Sequence, residues 1–190
     1  MREFIYYLAK GRTSGNFKDL MEAGRLDIAC HVVIAAFFLS HKIREDVRLH
    51  LILNGPPDPP KHIEFEYDKD IPFSKKDIGG LLKRILYKYK KGEKNKVFPG
   101  CYIEKKSFVK LIEGFHGRNI YLLDKKGEDI RDIEIGKDPI FILGDQEGIE
   151  RKDKKFILKN LNVKPVNIGS LEYFSSQVVA IVNNELDRKL

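Results

Sequence analysis

Ile140-Phe-Ile-Leu143 runs directly into Gly144-Asp-Gln-Glu-Gly148. A short, wholly apolar run ending in a polar loop flanked by glycines predicts a buried parallel strand whose carboxyl end opens into a ligand-binding edge, as in α/β sheets. The alternative is an ordinary turn in which glycine supplies positive φ. The loop is neither the dinucleotide-binding GxGxxG nor a phosphate loop, because no Gly-Lys-Ser/Thr follows it. Working outward, similar apolar runs predict strands at Phe4 to Ala9, Arg48 to Leu53, Ile63 to Tyr67, Ile120 to Leu123 and Lys164 to Ile168. Between them, apolar residues at helical spacing predict helices at Leu26 to Ser40, Ser74 to Lys90, Lys152 to Asn160 and Leu171 to Asp187. Strands alternating with helices predict an α/β fold, a mainly parallel sheet flanked by helices.

The helix from Leu26 is apolar on almost all sides, which calls for burial in a core or a subunit contact. In the last helix, Phe174, Val178, Ile181, Val182 and Leu186 form the stripe expected to face the core. Gly55-Pro-Pro-Asp-Pro-Pro60 excludes regular structure, since proline removes donors and forces its predecessor into extended geometry.

The chain has 190 residues, 42% of them apolar, enough for one domain over residues 1–190 with a real core. The longest apolar run, Ile28 to Leu39, is interrupted by His31 and falls short of the roughly 20 residues that a membrane-spanning helix needs. With no signal-peptide pattern at Met1-Arg-Glu-Phe-Ile, a cytoplasmic location is expected. Cys30, in a helix, and Cys101, in a loop, lie far apart and read as reduced thiols. His31, His41, His50, His62 and His116 show no metal-ligand spacing, so structural roles and no metal are expected. No Gly-x-Ser-x-Gly supports a serine hydrolase.

Two features point to nucleic acid. The net charge is +7, and basic residues concentrate at Lys83 to Lys96 and at Lys105, Lys106 and Lys110, with Phe98-Pro-Gly-Cys-Tyr102 between them. Lysines on phosphates and rings under bases suit RNA, although a charged helix face such as Lys83 to Lys91 is ordinarily just solvated. The second feature is Gly24-Arg-Leu-Asp27, at the start of the apolar helix. Asp27 there most simply caps the helix, but with Arg25 it could form a pair in which the arginine grips a phosphate and the acid touches a base edge.

Taken in order, a set of motifs identifies a family. They are Met1-Arg-Glu-Phe-Ile, Gly24-Arg-Leu-Asp27, Phe37-Phe-Leu-Ser-His41, Asn54-Gly-Pro-Pro-Asp-Pro-Pro60, Pro99-Gly-x-Tyr102, Asn119-Ile-Tyr-x-Leu123 with Gly127-Glu-Asp129, Phe141-Ile-x-Gly-Asp-x-x-Gly148, Leu171-Glu172 and Asn184-x-Leu-Asp187. The chain resembles the archaeal tRNA pseudouridine N1-methyltransferases of the SPOUT superfamily along essentially its whole length. The resemblance implies a SPOUT-type fold with a C-terminal trefoil knot, a homodimer, and methylation of pseudouridine in the tRNA T-loop, at position 54, with no metal. It implies that S-adenosylmethionine is held by three loops: one at Leu123, one from Gly144 and Asp145 to Gly148, and one from Ile168 through Leu171, Phe174, Ser176 and Gln177 to Val178. It also places Arg25 and Asp27 near the target base, with Asp27 as the group that receives or orients the N1 proton.

The chain departs from the family pattern in three places. The family's His in the Gly-Asp-x-x-Gly loop is Gln146 here, its His-Cys pair entering the last helix is Gln177 and Val178, and its arginines after Pro-Gly-x-Tyr are Lys105 and Lys106. Two other readings therefore accompany the first: an rRNA pseudouridine N1-methyltransferase, and a non-catalytic RNA-binding protein on the same scaffold.

Overall fold

All seven residues of β1 (Arg2–Leu8) are buried. A strand reaches that state only with a neighbour on each edge and a layer on each face. The computed structural model, which describes residues 1–189, supplies both. The other strands are β2 (Val47–Leu53), β3 (Lys61–Glu66), β4 (Asn95–Phe98), β5 (Cys101–Glu104), β6 (Ile120–Asp129), β7 (Ile140–Gly144) and β8 (Lys164–Asn167). They form one sheet in the order β4-β5-β3-β2-β1-β7-β6-β8. From β2 to β8 the neighbours are parallel, while β3, β5 and β4 add an antiparallel flank.

The helices are α1 (Leu26–Phe37), α2 (Ile78–Tyr87), α3 (Phe108–Glu113), α4 (Arg151–Asn160) and α5 (Ser175–Asp187). Alternation along β1 explains their placement. Phe4, Tyr6 and Leu8 pack into the core built with α1, α2 and α5, whereas Ile5 and Tyr7 pack into a second core with Phe108, Leu111 and Ile112 of α3 and Ile157 of α4. The apolar α1 finds its cover within the chain, largely against α5. Buried Val179 and Val182 of α5 each contribute about 1.5–3 kcal/mol by leaving water.

The expected α/β sheet is present, with differences that have local causes. Helix α1 stops at Phe37 because Phe38 turns extended and bridges back to Ile43 on the way into β2. The Pro99-Gly100 turn joins a hairpin, β4 to β5, so Cys101 is a fully buried strand residue and not a loop residue. Burial pushes both thiols up to about 12. The segment Leu171 to Phe174 is loop, and α5 begins at Ser175. Phe174 is accordingly 68% exposed and lies outside the core stripe expected of it.

Strand β6 is longer than the apolar run that announces it. Leu123 and Glu128 both pair with Val166, so residues 124–127 bulge from the ladder. Gly127 closes the bulge where a Cβ would stand 2.3 Å from the Val166 nitrogen. Among the described residues no helix is long and apolar enough to cross a membrane.

Candidate active site

Strands β6 and β7 flank one another as parallel neighbours, with β8 outside β6, so their carboxyl ends open on the same side. There, between the bulge of β6, the loop after β7 and the loop from β8 to α5, lies a cleft of about 580 Å³. Leu123, Gly144, Asp145, Ile168, Leu171, Phe174, Gln177 and Val178 all line it. Gly148 closes the β7 loop behind this wall, donating its N–H to the Asp145 carbonyl at 2.9 Å. Ser176 does not line the cleft; Ser175 does, and its hydroxyl donates to the Gly144 carbonyl at 3.3 Å.

Asp145 acts as a staple in this wall. Its Oδ2 accepts the Ala9 N–H at 2.8 Å and its Oδ1 the Glu147 N–H at 2.9 Å, which ties the β7 loop to the end of β1. Burial raises its carboxyl above the ordinary range despite these bonds. Gln177, at the position of departure from the family pattern, plays a local part. Its Oε1 accepts the Phe174 N–H at 3.0 Å and so holds the entrance to α5.

A second cleft, of about 390 Å³, shares Asp145 and Gln146 with the first and continues past Lys10, Arg12, Gly24, Arg25 and Pro56. Arg25 stands at this junction; Asp27 lines neither cleft and meets them only through Arg25. The guanidinium grips the carboxylate with two parallel bonds of 3.0 Å and donates a third, of 3.3 Å, to Gln146 Oε1. Arg25, not Asp27, is the residue that precedes the first turn of α1, and it does so in the left-handed conformation at φ 62°. A non-glycine residue held there costs of order 1–3 kcal/mol, and such strain gathers at functional sites. The bond from Arg25 holds the Asp27 carboxyl below its ordinary range, against partial burial.

Two buried polar atoms near these clefts are not evident from sequence. The Tyr6 hydroxyl makes no well-formed hydrogen bond among the described residues, and burial pushes it up to about 12 against the opposing effect of the neighbouring Ser175 hydroxyl, with Asp145, Arg25 and Asp27 also close enough to act on it. Arg12 Nε is likewise unpartnered. Buried polar groups are nearly always satisfied, so two unpartnered ones beside the candidate clefts stand out. Asp124, Asn167 and Gly169 also line the first cleft. No sequence pattern marks them, because the apolar run of β6 fades where its bulge begins.

The basic segment is less open than its composition suggests. Lys105 pairs with Asp58, and Lys106 with Glu104 at 2.7 Å; Lys110, on α3, has no carboxylate partner among the described residues. The interleaved rings are half-buried and already covered, Phe98 by Lys88 at 4.6 Å and Tyr102 by Lys94 at 4.7 Å. They are not free platforms for bases.

Comparison with known proteins adds the following. Residues 1–190 match the family model described as "Putative SAM-dependent RNA methyltransferase". The tRNA (pseudouridine(54)-N(1))-methyltransferase of Methanocaldococcus jannaschii is 37% identical over 203 residues, covering 100% of this chain and 98% of that protein. The protein of the same name from Pyrococcus abyssi is 38% identical, covering 99% and 98%, and that from Methanosarcina mazei is 35% identical, covering 99% and 92%. Among solved structures, Archaeoglobus fulgidus Nep1 bound to S-adenosylhomocysteine superposes with a TM-score of 0.63 at 17% identity, over 98% of this chain and 97% of that one. That likeness is one of fold.

Proposed function

We infer the reaction from one premise: the chain belongs to the family of S-adenosylmethionine-dependent RNA methyltransferases. It transfers a methyl group from S-adenosylmethionine to N1 of pseudouridine 54 in tRNA, in the cytoplasm. The observation that carries this reading is identity of 33% to 38% over essentially the whole chain with archaeal enzymes of that name.

The first cleft suits the cosubstrate. Gly169 stands on its wall at φ 121° with nothing within 4 Å of where a Cβ would project, so a ligand can reach the backbone itself. Leu123, Ile168, Leu171, Phe174 and Val178 offer apolar surface, and Gly144 and Asp145 offer the backbone of the β7 loop. S-adenosylmethionine, when bound, supplies a methyl group on a positively charged sulfur. The second cleft serves the target base, which must present N1 and lose its proton. Asp27 receives or orients that proton, and Arg25 anchors the RNA through phosphate while keeping Asp27 ionised. Alignment of the two ligands across the shared Asp145–Gln146 wall supplies much of the rest of the rate.

The test is incubation with S-adenosylmethionine and tRNA, with and without prior pseudouridylation, followed by nucleoside mass spectrometry. Methylation confined to the pseudouridylated tRNA at position 54 is expected; none in either sample overturns the reading. Gln146 and Val178, which replace polar family residues, favour a second reading as a non-catalytic RNA-binding protein. Titration that detects no S-adenosylmethionine binding would select it.

Lys105, Lys106 and Lys110 are assigned to tRNA phosphates. Replacing all three by alanine should weaken tRNA binding and flatten its salt dependence by about one unit of slope for each phosphate no longer neutralised. Affinity for S-adenosylmethionine should be unchanged. A tRNA affinity and salt slope that do not move would leave these lysines to their internal ion pairs.

The protein acts as a homodimer. Support comes from Leu171, Tyr173 and Phe174, which are 66%, 40% and 68% exposed at the cleft mouth in a single chain. Sedimentation should give a dimer at micromolar concentration, and Leu171→Glu with Phe174→Glu should shift it to monomer. A wild-type monomer would remove the assignment.

A further inference from the structure

On the α3 face of the antiparallel flank two histidines are almost wholly enclosed. His50 of β2 and His62 of β3 are each 1% exposed, and Glu64 is 7% exposed. His50 and Glu64 are direct cross-strand partners, and His62, two residues before Glu64 on β3, is diagonal to His50. His50 Nδ1 lies 2.9 Å from His62 Nε2 and 3.6 Å from Glu64 Oε2. The three ligand atoms all lie within 4.8 Å of one another.

The outer ring nitrogens show what those inner atoms can do. His50 Nε2 lies 2.9 Å from Glu3 Oε2, and His62 Nδ1 lies 2.9 Å from Glu104 Oε1. A carboxylate only accepts, so each ring donates an N–H outward and, in its neutral form, turns a lone pair inward. Glu64 contributes a third acceptor: its Oε1 takes the Lys94 ammonium at 2.8 Å, which leaves Oε2 free. Three acceptors thus converge with no donor between them, an arrangement that repels itself until a cation occupies it. The outer carboxylates are themselves anchored, Glu3 by Arg118 and Glu104 by Lys106. That is the carboxylate–histidine pairing that orients metal-binding imidazoles.

We propose that His50, His62 and Glu64 form a binding site for a borderline divalent transition metal such as zinc. Two nitrogens and one oxygen suit such an ion, and donors around a tetrahedral zinc stand about 3.3 Å apart, close to the 2.9 and 3.6 Å that separate His50 Nδ1 from the other two donors. The surrounding charge does not forbid it: Arg118, Lys94, Lys106 and Arg48 each pair with a carboxylate, those of Glu3, Glu64, Glu104 and Glu66, and of the cations on the entry cleft Lys110 alone has no carboxylate partner among the described residues. Entry is open through a cleft of about 400 Å³ that reaches His50 and Glu64 between Lys106 and α3. A water molecule from that cleft completes the coordination. The ion pins β2 to β3 and lies apart from the two clefts assigned to methyl transfer, so its presence does not depend on that assignment.

The test uses the full chain, stripped with chelator, given zinc or cobalt(II), dialysed, and assayed by plasma mass spectrometry. Wild type should retain a stoichiometric ion and gain thermal stability from it. The cobalt form should show visible tetrahedral absorption without a near-ultraviolet thiolate band, which separates this site from Cys30 and Cys101. His62→Gln should lose the ion. Glu104→Gln, which keeps all three ligands and the side-chain volume, should bind it roughly 10- to 100-fold more weakly, and it serves where the histidine variant fails to fold. Wild type that retains no metal above the buffer blank overturns the proposal, leaving a proton shared between the rings as the cation. Equal retention by wild type and Glu104→Gln or a folded His62→Gln overturns it as well.

Discussion

Asp27→Asn is expected to slow single-turnover methyl transfer to pseudouridine-containing tRNA by about 10² to 10⁴-fold, the usual worth of a positioned acid or base. Its melting temperature and its affinity for S-adenosylmethionine should stay close to wild type. Asparagine keeps the size of the side chain and can still accept one bond from Arg25, so the substitution removes charge and basicity with little change of shape. Arg25→Ala should differ, acting mainly on tRNA affinity. Because Arg25 holds the Asp27 carboxyl below its ordinary range, the ionised form of Asp27 persists as pH falls through about 3.9, the free aspartate value. Removing the arginine should therefore shift any acid limb of the rate profile upward. A normal rate for a folded Asp27→Asn enzyme would take Asp27 out of the chemistry.

Gly144→Val is expected to weaken S-adenosylmethionine binding by roughly 10- to 100-fold, since overpacking a tight site costs about 1–3 kcal/mol. Even a single Cβ at Gly144 would stand 3.1 Å from the Gly148 Cα and 3.2 Å from the Ile149 nitrogen, both backbone atoms. The valine methyls would have to push the β7 loop off the staple made by Asp145. Far-ultraviolet dichroism and calorimetry together decide the outcome: unchanged affinity in a folded variant would mean that this loop does not form the cosubstrate wall.

The parts of this molecule that can be read from sequence are those where one strong pattern coincides with one element. Strand β7 and its loop are the clearest instance, because a fully apolar strand and flanking glycines leave few other structures. Leu123, Gly144 and Ile168, each at the end of such a strand, do meet on the cleft. The hairpin of β4 and β5 stays hidden because Asn95 and Lys96 belong to a lysine-rich stretch that reads as solvated. Phe174 reads as core, wrongly, because the helical spacing of α5 continues backward past its true start. The Tyr6 hydroxyl and the histidine cluster cannot be found in one dimension at all, since their neighbours come from strands and loops that only the sheet order brings together.

The central position of β1 bears on how the chain reaches this structure. One edge of β1 is matched by β2, with Arg2 opposite Val47, but the other waits for β7, with Glu3 opposite Ile140. A ribosome that has delivered the antiparallel flank and α1 has therefore produced a sheet whose wholly buried strand β1 still has an open edge. Such edges invite pairing with the wrong chain until the right strand is made. Contacts this distant in sequence also make for slow refolding. Both clefts assigned to methyl transfer include the loop after β7, so on that assignment binding competence is acquired late in synthesis, when the last segments dock onto a scaffold already in place.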